Sequence, residues 1–192
     1  MSEKINEILL ITQGADGQPY IAPFGIRERE DLILIAPFRP SVSLDNLLSG
    51  RPATINTTDD ARIFAGVLTG RRNWPTLKSN GAFVLESALS YKMIKLVKVE
   101  DDVQRPTLYF QVLNEVNQRA FKGYNRAQAA VIELCVLVSR LNRLPIEKIE
   151  SEIAYLQIAI DKTAGPQEQE AWAWLIEAVD NHKAQLSGVN FA

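Results

Sequence analysis

Hydrophobic and polar positions change rhythm partway along the chain. Up to about residue 115 the apolar residues come in short runs and alternations, as strands require. From Asn125 onward they recur at three- and four-residue intervals, as helices require. Ile5 to Gln13 is an apolar run rich in Ile and Leu. Gly14-Ala15-Asp16-Gly17 then supplies a tight turn, with glycines free to adopt positive φ. Tyr20 to Ile26 resumes an extended pattern, and Arg27-Glu28-Arg29-Glu30-Asp31 reads as a charged turn. Leu32 to Ala36 is a short, wholly apolar strand of the kind that lies buried. Three consecutive antiparallel strands with short connections make a meander.

Ser41 to Leu48 predicts a short helix that stops at Gly50. Arg51 to Asn56 returns as a strand. Asp59 to Leu68 predicts another short helix, with Asp59 and Asp60 favourable at its positive end. Gly70 to Pro75 reads as a loop and Ser79-Asn80-Gly81 as a turn. Ala82 to Leu89, Met93 to Val99 and Thr107 to Val112 complete the strand set, and the Lys/Val alternation of Lys95 to Val99 suits a half-exposed strand. About seven strands in roughly 115 residues favour a closed or nearly closed barrel.

The second part is helical. Asn125 is placed to cap a helix running to about Asn142. Its apolar set (Val131, Ile132, Leu134, Cys135, Leu137, Val138, Leu141) covers most of the circumference, which predicts burial on nearly all sides. Pro145 opens the next helix, with Ile146, Ile149, Ile153, Leu156 and Ile160 at helical spacing, and Thr163-Ala164-Gly165-Pro166 ends it. A third helix from about Gln167 sets Trp172, Leu175 and Val179 on one face. The expected division is a barrel domain over 1–120 and a helical extension, packed on the barrel, over 121–192.

Composition narrows the function. The chain has 192 residues, 46% hydrophobic and 23% charged, with net charge -2. That balance gives no electrostatic basis for a nucleic-acid binder. No apolar run approaches the roughly 20 residues that cross a bilayer, and the first residues lack the pattern of a signal peptide. A cytoplasmic location is the expectation. Cys135 is the only cysteine and reads as a small core hydrophobe. His182 is the only histidine and sits in a polar segment, where it reads as a surface residue. One of each cannot assemble a zinc site of several Cys and His ligands, and no metal is expected. Any chemistry then comes from a bound cofactor rather than from the chain's own side chains.

The segment Ala36-Pro37-Phe38-Arg39-Pro40-Ser41-Val42-Ser43-Leu44-Asp45-Asn46-Leu47 carries the richest candidate chemistry: an arginine, two hydroxyls and an asparagine where a strand hands over to a helix. Arginine suits a phosphate because its planar fork bonds two oxygens together. The plainer reading is an N-cap by Ser41 or Ser43 with Arg39 as a solvated charge. Arg51 and Arg126 are alternative phosphate partners. Asn125 and Arg126 also read as a helix cap and a salt-bridge partner. Trp74, in its loop, reads as packing or as a ring to stack on.

These residues, with Tyr20-Ile21-Ala22-Pro23-Phe24-Gly25-Ile26, Ile55-Asn56-Thr57-Thr58-Asp59-Asp60, Phe64, Phe121-Lys122-Gly123-Tyr124-Asn125-Arg126-Ala127, Val131-Ile132-Glu133 and Lys162-Thr163, resemble the family catalogued as domain of unknown function 447. That family is similar to the FMN-binding split barrels, among them flavin reductases and pyridoxamine-phosphate-oxidase-like proteins. The resemblance implies an α+β fold, mainly β in its N-terminal part: an FMN-binding split β-barrel with a C-terminal three-helix extension. It implies FMN as cofactor, held in a groove at a homodimer interface, and a small-molecule redox substrate; charge and hydropathy lead to the expectation of neither nucleic acid nor membrane as partner. Carried over by position, Arg39, Ser41, Ser43 and Asn46 become phosphate or ribityl contacts. Asn56, Thr57 and Thr58 face the ring edge or ribityl chain, and Ala22, Pro23, Phe24 and Gly25 lie along the ring. Asn125 and Arg126 complete the implied cofactor set. Where flavin-reductase-like barrels often carry Thr, position 43 is Ser, and the hydroxyl is kept. Two readings of function follow: an FMN-dependent oxidoreductase of unknown substrate, or a protein that holds FMN or another phosphorylated ligand without turnover. For the first, a reduced pyridine nucleotide, a free flavin and a pterin-like carrier are the candidate substrates.

Overall fold

A computed structural model describes residues 4–188. Its first strands are β1 (Asn6–Gln13), β2 (Pro19–Arg29) and β3 (Leu32–Ile35). They are followed by α1 (Val42–Leu48), β4 (Ala53–Thr57) and α2 (Arg62–Leu68). Next come β5 (Thr76–Ser79), β6 (Ala82–Leu85), β7 (Ser90–Glu100) and β8 (Thr107–Asn117). Three helices close the chain: α3 (Arg126–Val138), α4 (Ile146–Thr163) and α5 (Pro166–Gly188).

Six strands form a closed antiparallel barrel in the order β1-β2-β3-β8-β7-β4, and β5-β6 is a separate two-stranded hairpin. The predicted meander is β1-β2-β3. Its first turn is closed by Gly14 N–H donating to the Gln18 carbonyl at 2.9 Å, with Gly17 at φ 77°. The charged stretch is strand as far as Arg29, and the turn is confined to Glu30 and Asp31. Antiparallel partners share a face. Ile8, Leu10, Ile26, Ile33, Ile35, Ala53, Ile55, Ile94, Leu108 and Phe110 therefore fill the barrel, and Leu44 and Leu47 of α1 join them. Leu9, Ile11, Thr54 and Asn56 alternate with these, and are also buried. On that second face, β6 lies against β1 and β4. A β1 apolar on both faces explains why it reads as one continuous run.

β7 and β8 outrun the predicted strands. Their pairing is interrupted twice: Met93 opposes Asn114 but Ile94 opposes Val112, and Leu96 opposes Phe110 but Lys98 opposes Tyr109. Each interruption leaves one residue unpaired, Leu113 on β8 and Val97 on β7. Such bulges break the alternation on which the sequence reading relied.

The described chain divides into two compact units. One takes residues up to Asp59 together with Asn73–Phe121; the other takes Asp60–Arg72 together with the chain from Lys122 onward. The segment holding α2, which the sequence reading kept with the barrel, groups with the helices. Within the helical unit α3 contacts α2, α4 and α5. α3 stops at Val138, short of the predicted Asn142, and buries one face (Ala127, Ala130, Val131, Leu134, Cys135). Ile132, Leu137 and Val138 are only half-buried, so the expectation of burial on nearly all sides is corrected. α4 buries Ile149 and Ile160, while α5 buries Trp172, Leu175 and Val179 as predicted. Trp172 Nε1–H donates to Gln157 Oε1 at 2.9 Å, which ties α5 to α4.

Candidate functional site

The corner before α1 is built by its cap. Ser41 takes extended backbone angles, and its Oγ accepts from Leu44 N–H at 3.4 Å. Insertion of Leu44 and Leu47 into the core turns Ser43 and Asn46 inward as well, and both are buried. Asn46 Nδ2 donates to Thr12 Oγ1 at 3.0 Å, and its Oδ1 accepts from Arg51 Nη1 at 3.3 Å. Arg39 is tied to the β7–β8 connection. Its Nη2 meets Asp101 Oδ1 at 2.6 Å, its Nε donates to the Asp102 carbonyl at 3.2 Å, and its N–H donates to the Gln104 carbonyl at 2.8 Å. The Arg39 and Asp101 side chains are 39% and 81% exposed. An ion pair that open to water is weak, so a stronger anion can displace Asp101. The Asp102 carboxyl is held below its ordinary range by accepting backbone N–H bonds, chiefly from Arg105 and then from Gln104.

The second group lies along β4. Asn56 is fully buried. Its Nδ2 donates to Thr54 Oγ1 at 2.9 Å and reaches the carbonyls of Thr54 at 3.3 Å and Leu9 at 3.4 Å. Its Oδ1 accepts from Leu85 N–H at 2.9 Å. Thr54 Oγ1 donates to the Phe83 carbonyl at 2.6 Å, a second tie to β6. Thr57 Oγ1 shares a 2.7 Å hydrogen bond with Ser90 Oγ, and Thr58 is half-buried.

On β2, Ala22 opposes Leu10 and Phe24 opposes Ile8, which puts both on the inner face. Pro23 opposes Leu9 and Gly25 opposes Glu7 on the outer face. All four are half-buried. A Cβ on Gly25 would come within 2.7 Å of Ile5 Cγ2, so this glycine permits a close approach of its neighbour.

Asn46 bonds Thr12, which pairs with Ala53, so it belongs to the Ala53 end of β4. Thr57 and Thr58 stand at the opposite end. At the usual rise per residue these ends are about 13 Å apart. The predicted set is thus brought together as two groups, not one.

Asn125 and Arg126 belong to the helical unit. Asn125 caps α3: its Oδ1 accepts from Ala127 N–H at 2.7 Å and Gln128 N–H at 3.3 Å, and its Nδ2 donates to the Thr163 carbonyl at 3.0 Å. Arg126 is exposed and borders a groove of about 230 Å³ between α3 and α4, with Glu133 and Tyr155. Cys135 is buried, and desolvation pushes its thiol up to about 12, which makes it a poor nucleophile. His182, expected on the surface, is half-buried on α5.

Sequence reasoning missed a cleft of about 360 Å³ in the barrel unit. Arg51, Lys95, Leu96, Leu113 and Asn80 are among its lining residues, and of the candidate cofactor contacts only Arg51, the alternative phosphate partner, lines it. Arg51 was legible as an alternative anion partner. The places of Lys95 and Leu113 depend on the bulge, which leaves no mark in the apolar pattern.

A six-stranded antiparallel barrel with this corner and a following helical unit is a flavin-reductase-like barrel in its fold. More narrowly, the chain belongs to the DUF447 family: residues 6–119 match its model described as protein of unknown function (DUF447) N-terminal domain. Residues 125–177 match a further model described as protein of unknown function (DUF447). An FMN-bound protein of this family from Methanosarcina mazei superposes with a TM-score of 0.78 at 22% identity, covering 92% of this chain and 96% of its own. The flavin reductase HpaC, in complex with NADP+, gives 0.53 at 14% identity over 63% of this chain and 84% of its own. The styrene monooxygenase flavin reductase of Pseudomonas putida S12 gives 0.51 at 7% identity over 59% of this chain and 79% of its own. A comparison with curated proteins finds no match. Among the described residues, no helix is long and apolar enough to cross a membrane.

Proposed function

We propose that the protein is a cytoplasmic FMN-binding flavoprotein, working as a homodimer in a redox reaction on a small molecule. The observation that carries this reading is the FMN-bound protein from Methanosarcina mazei. It belongs to the same family and matches the fold over nearly the whole chain. The residues fit the group. Arg39 and Ser41 offer a cation and a hydroxyl for the phosphate, with Asp101 exchanged for it. Ala22 to Gly25 offer half-buried strand surface for the ring, with Thr57 and Thr58 at its polar edge. Ser43, Asn46 and Asn56 are buried and act from behind, by positioning α1 and β4. Asn125 and Arg126 belong to the helical unit, where Asn125 caps α3, and are not part of this set.

Bound FMN would supply hydride transfer; the chain would supply binding, orientation and exclusion of water. Exposed Phe38, Val42 and Leu48 flank the Arg39–Ser41 corner and give a second copy apolar surface to cover.

The test is the visible spectrum of the freshly purified protein, with the released cofactor identified after denaturation. Flavin bands and released FMN are expected, and a colourless protein that also fails to bind added FMN defeats the reading. Arg39→Ala is expected to weaken FMN by about 10- to 150-fold, the loss of one charge-assisted phosphate contact. Unchanged affinity moves the phosphate away from Arg39. Reduction by one member of a panel of donors separates an oxidoreductase from a protein that only holds the flavin.

A further inference from the structure

We infer that the cleft between the α1–β4 connection and the bulged part of β7–β8 is a second binding site, for a small anion carrying an apolar body. Its volume, about 360 Å³, falls in the range of small-molecule sites. Two cations meet there. Ala53 pairs with Ile94, so Arg51, two residues ahead of Ala53, and Lys95, one beyond Ile94, come to the same end of the β4–β7 ladder. Both line the cleft.

Several cations of this protein are paired with a carboxylate. Arg39, Arg62, Arg71, Lys92, Lys98 and Lys183 each form an ion pair. Among the described residues, neither Arg51 nor Lys95 does. Arg51 is braced instead by a neutral amide, Asn46 Oδ1 at 3.3 Å, itself fixed by Thr12. A guanidinium held in place by a neutral group keeps its positive field for a ligand.

The apolar part of the cleft is equally built. Leu47, Ile94 and Phe110 are core residues that border it, with Leu96 beside them. Leu113, the residue that the β8 bulge leaves without a partner, also lines it and is 58% exposed. A bulge re-aims a side chain where regular pairing would not send it. Cations beside apolar floor and wall select an aryl or alkyl phosphate or carboxylate over inorganic phosphate. The inference does not depend on the flavin reading, because none of the proposed flavin contacts lines the cleft.

The probe is 1-naphthyl phosphate, titrated into the full chain by its own fluorescence, with and without FMN present. Saturable one-site binding that persists with FMN is expected. Lys95→Glu is expected to weaken the probe at least about tenfold while FMN content stays unchanged, and Lys95→Arg to keep the affinity. Leu113→Glu should weaken it comparably, and 1-naphthol should bind at least about tenfold less well than the phosphate. Lys95 is exposed on its strand, so these variants fold; circular dichroism checks that. Equal affinity in wild type and Lys95→Glu overturns the inference. So does displacement of the probe by FMN, which would make the cleft part of the flavin site.

Discussion

The barrel unit and the helical unit are stabilised by different means. Among the described residues, five of the six buried polar or charged ones (Thr12, Ser43, Asn46, Thr54 and Asn56) belong to the barrel unit, and one, Glu168, to the helical unit. In the barrel they form two linked ties, Asn46 to Thr12 and Asn56 to β1 and β6. In the helices, apolar stripes do most of the packing, with the Trp172–Gln157 tie between α4 and α5, and other polar side chains work at the ends: Asn125 caps α3, and Glu168 accepts from Gly165 N–H and from Gln128 Nε2. A buried hydrogen-bond network demands one geometry, whereas an apolar stripe tolerates several. The lesson is that the unit with the candidate cofactor contacts on its strands is also the one whose buried polar groups fix strand positions.

Substitutions can break that comparison. The largest effect is expected in the helices from an apolar truncation. Leu134→Ala, at a fully buried position of α3, should cost about 3–4 kcal/mol in urea unfolding. Ile132→Ala, on the half-buried side, should cost far less; equal losses would restore the picture of a helix buried all round. In the barrel the expected sensitive residue is polar. Asn56→Ala leaves Leu85 N–H without its acceptor and should cost about 2–3 kcal/mol. A loss under about 1 kcal/mol would mean that the network adds little.

Asn125→Ala removes the α3 cap and the tie to Thr163, for about 1–2 kcal/mol, and Asn125→Asp should retain most of the cap. The last effect, absent at neutral pH, is a pH dependence. Burial raises the Cys135 thiol from 9.0 to about 12, so the contribution is complete below 9.0 and is lost as pH climbs towards 12. Cys135→Ser, which does not titrate there, should flatten that alkaline decline; an unchanged slope would assign it to other groups.

Much of this was legible in the sequence where local chemistry and fold agree. Ser41 and Asn125 announce their caps, Gly165-Pro166 marks the end of α4, and Gly14 to Gly17 the first turn. The barrel followed from the number and spacing of apolar runs. What failed depended on partners distant in sequence. β5 was not assigned, falling between the loop ending at Pro75 and the turn starting at Ser79, because Thr76–Ser79 is short and gains its strand character only by pairing with β6. α3 looked uniformly apolar because its pattern cannot say how many neighbours it meets. In the candidate site, residue types pointed to Arg39 and Ser41, but only the folded chain shows Ser43, Asn46 and Asn56 buried. The bulge that frees Leu113 is likewise a property of paired strands.

Closure of the barrel has a consequence for self-association. In a closed sheet every strand has two neighbours, so among the described residues the strands with a single paired neighbour belong to the small β5-β6 hairpin. On its other strand, Thr54 and Asn56 already bond Phe83 and Leu85. That leaves β5, where Leu77 is 49% exposed beside Lys78. A four-residue strand carrying a lysine is a poor template for fibrils, and a charge at Lys78 disfavours pairing along this edge.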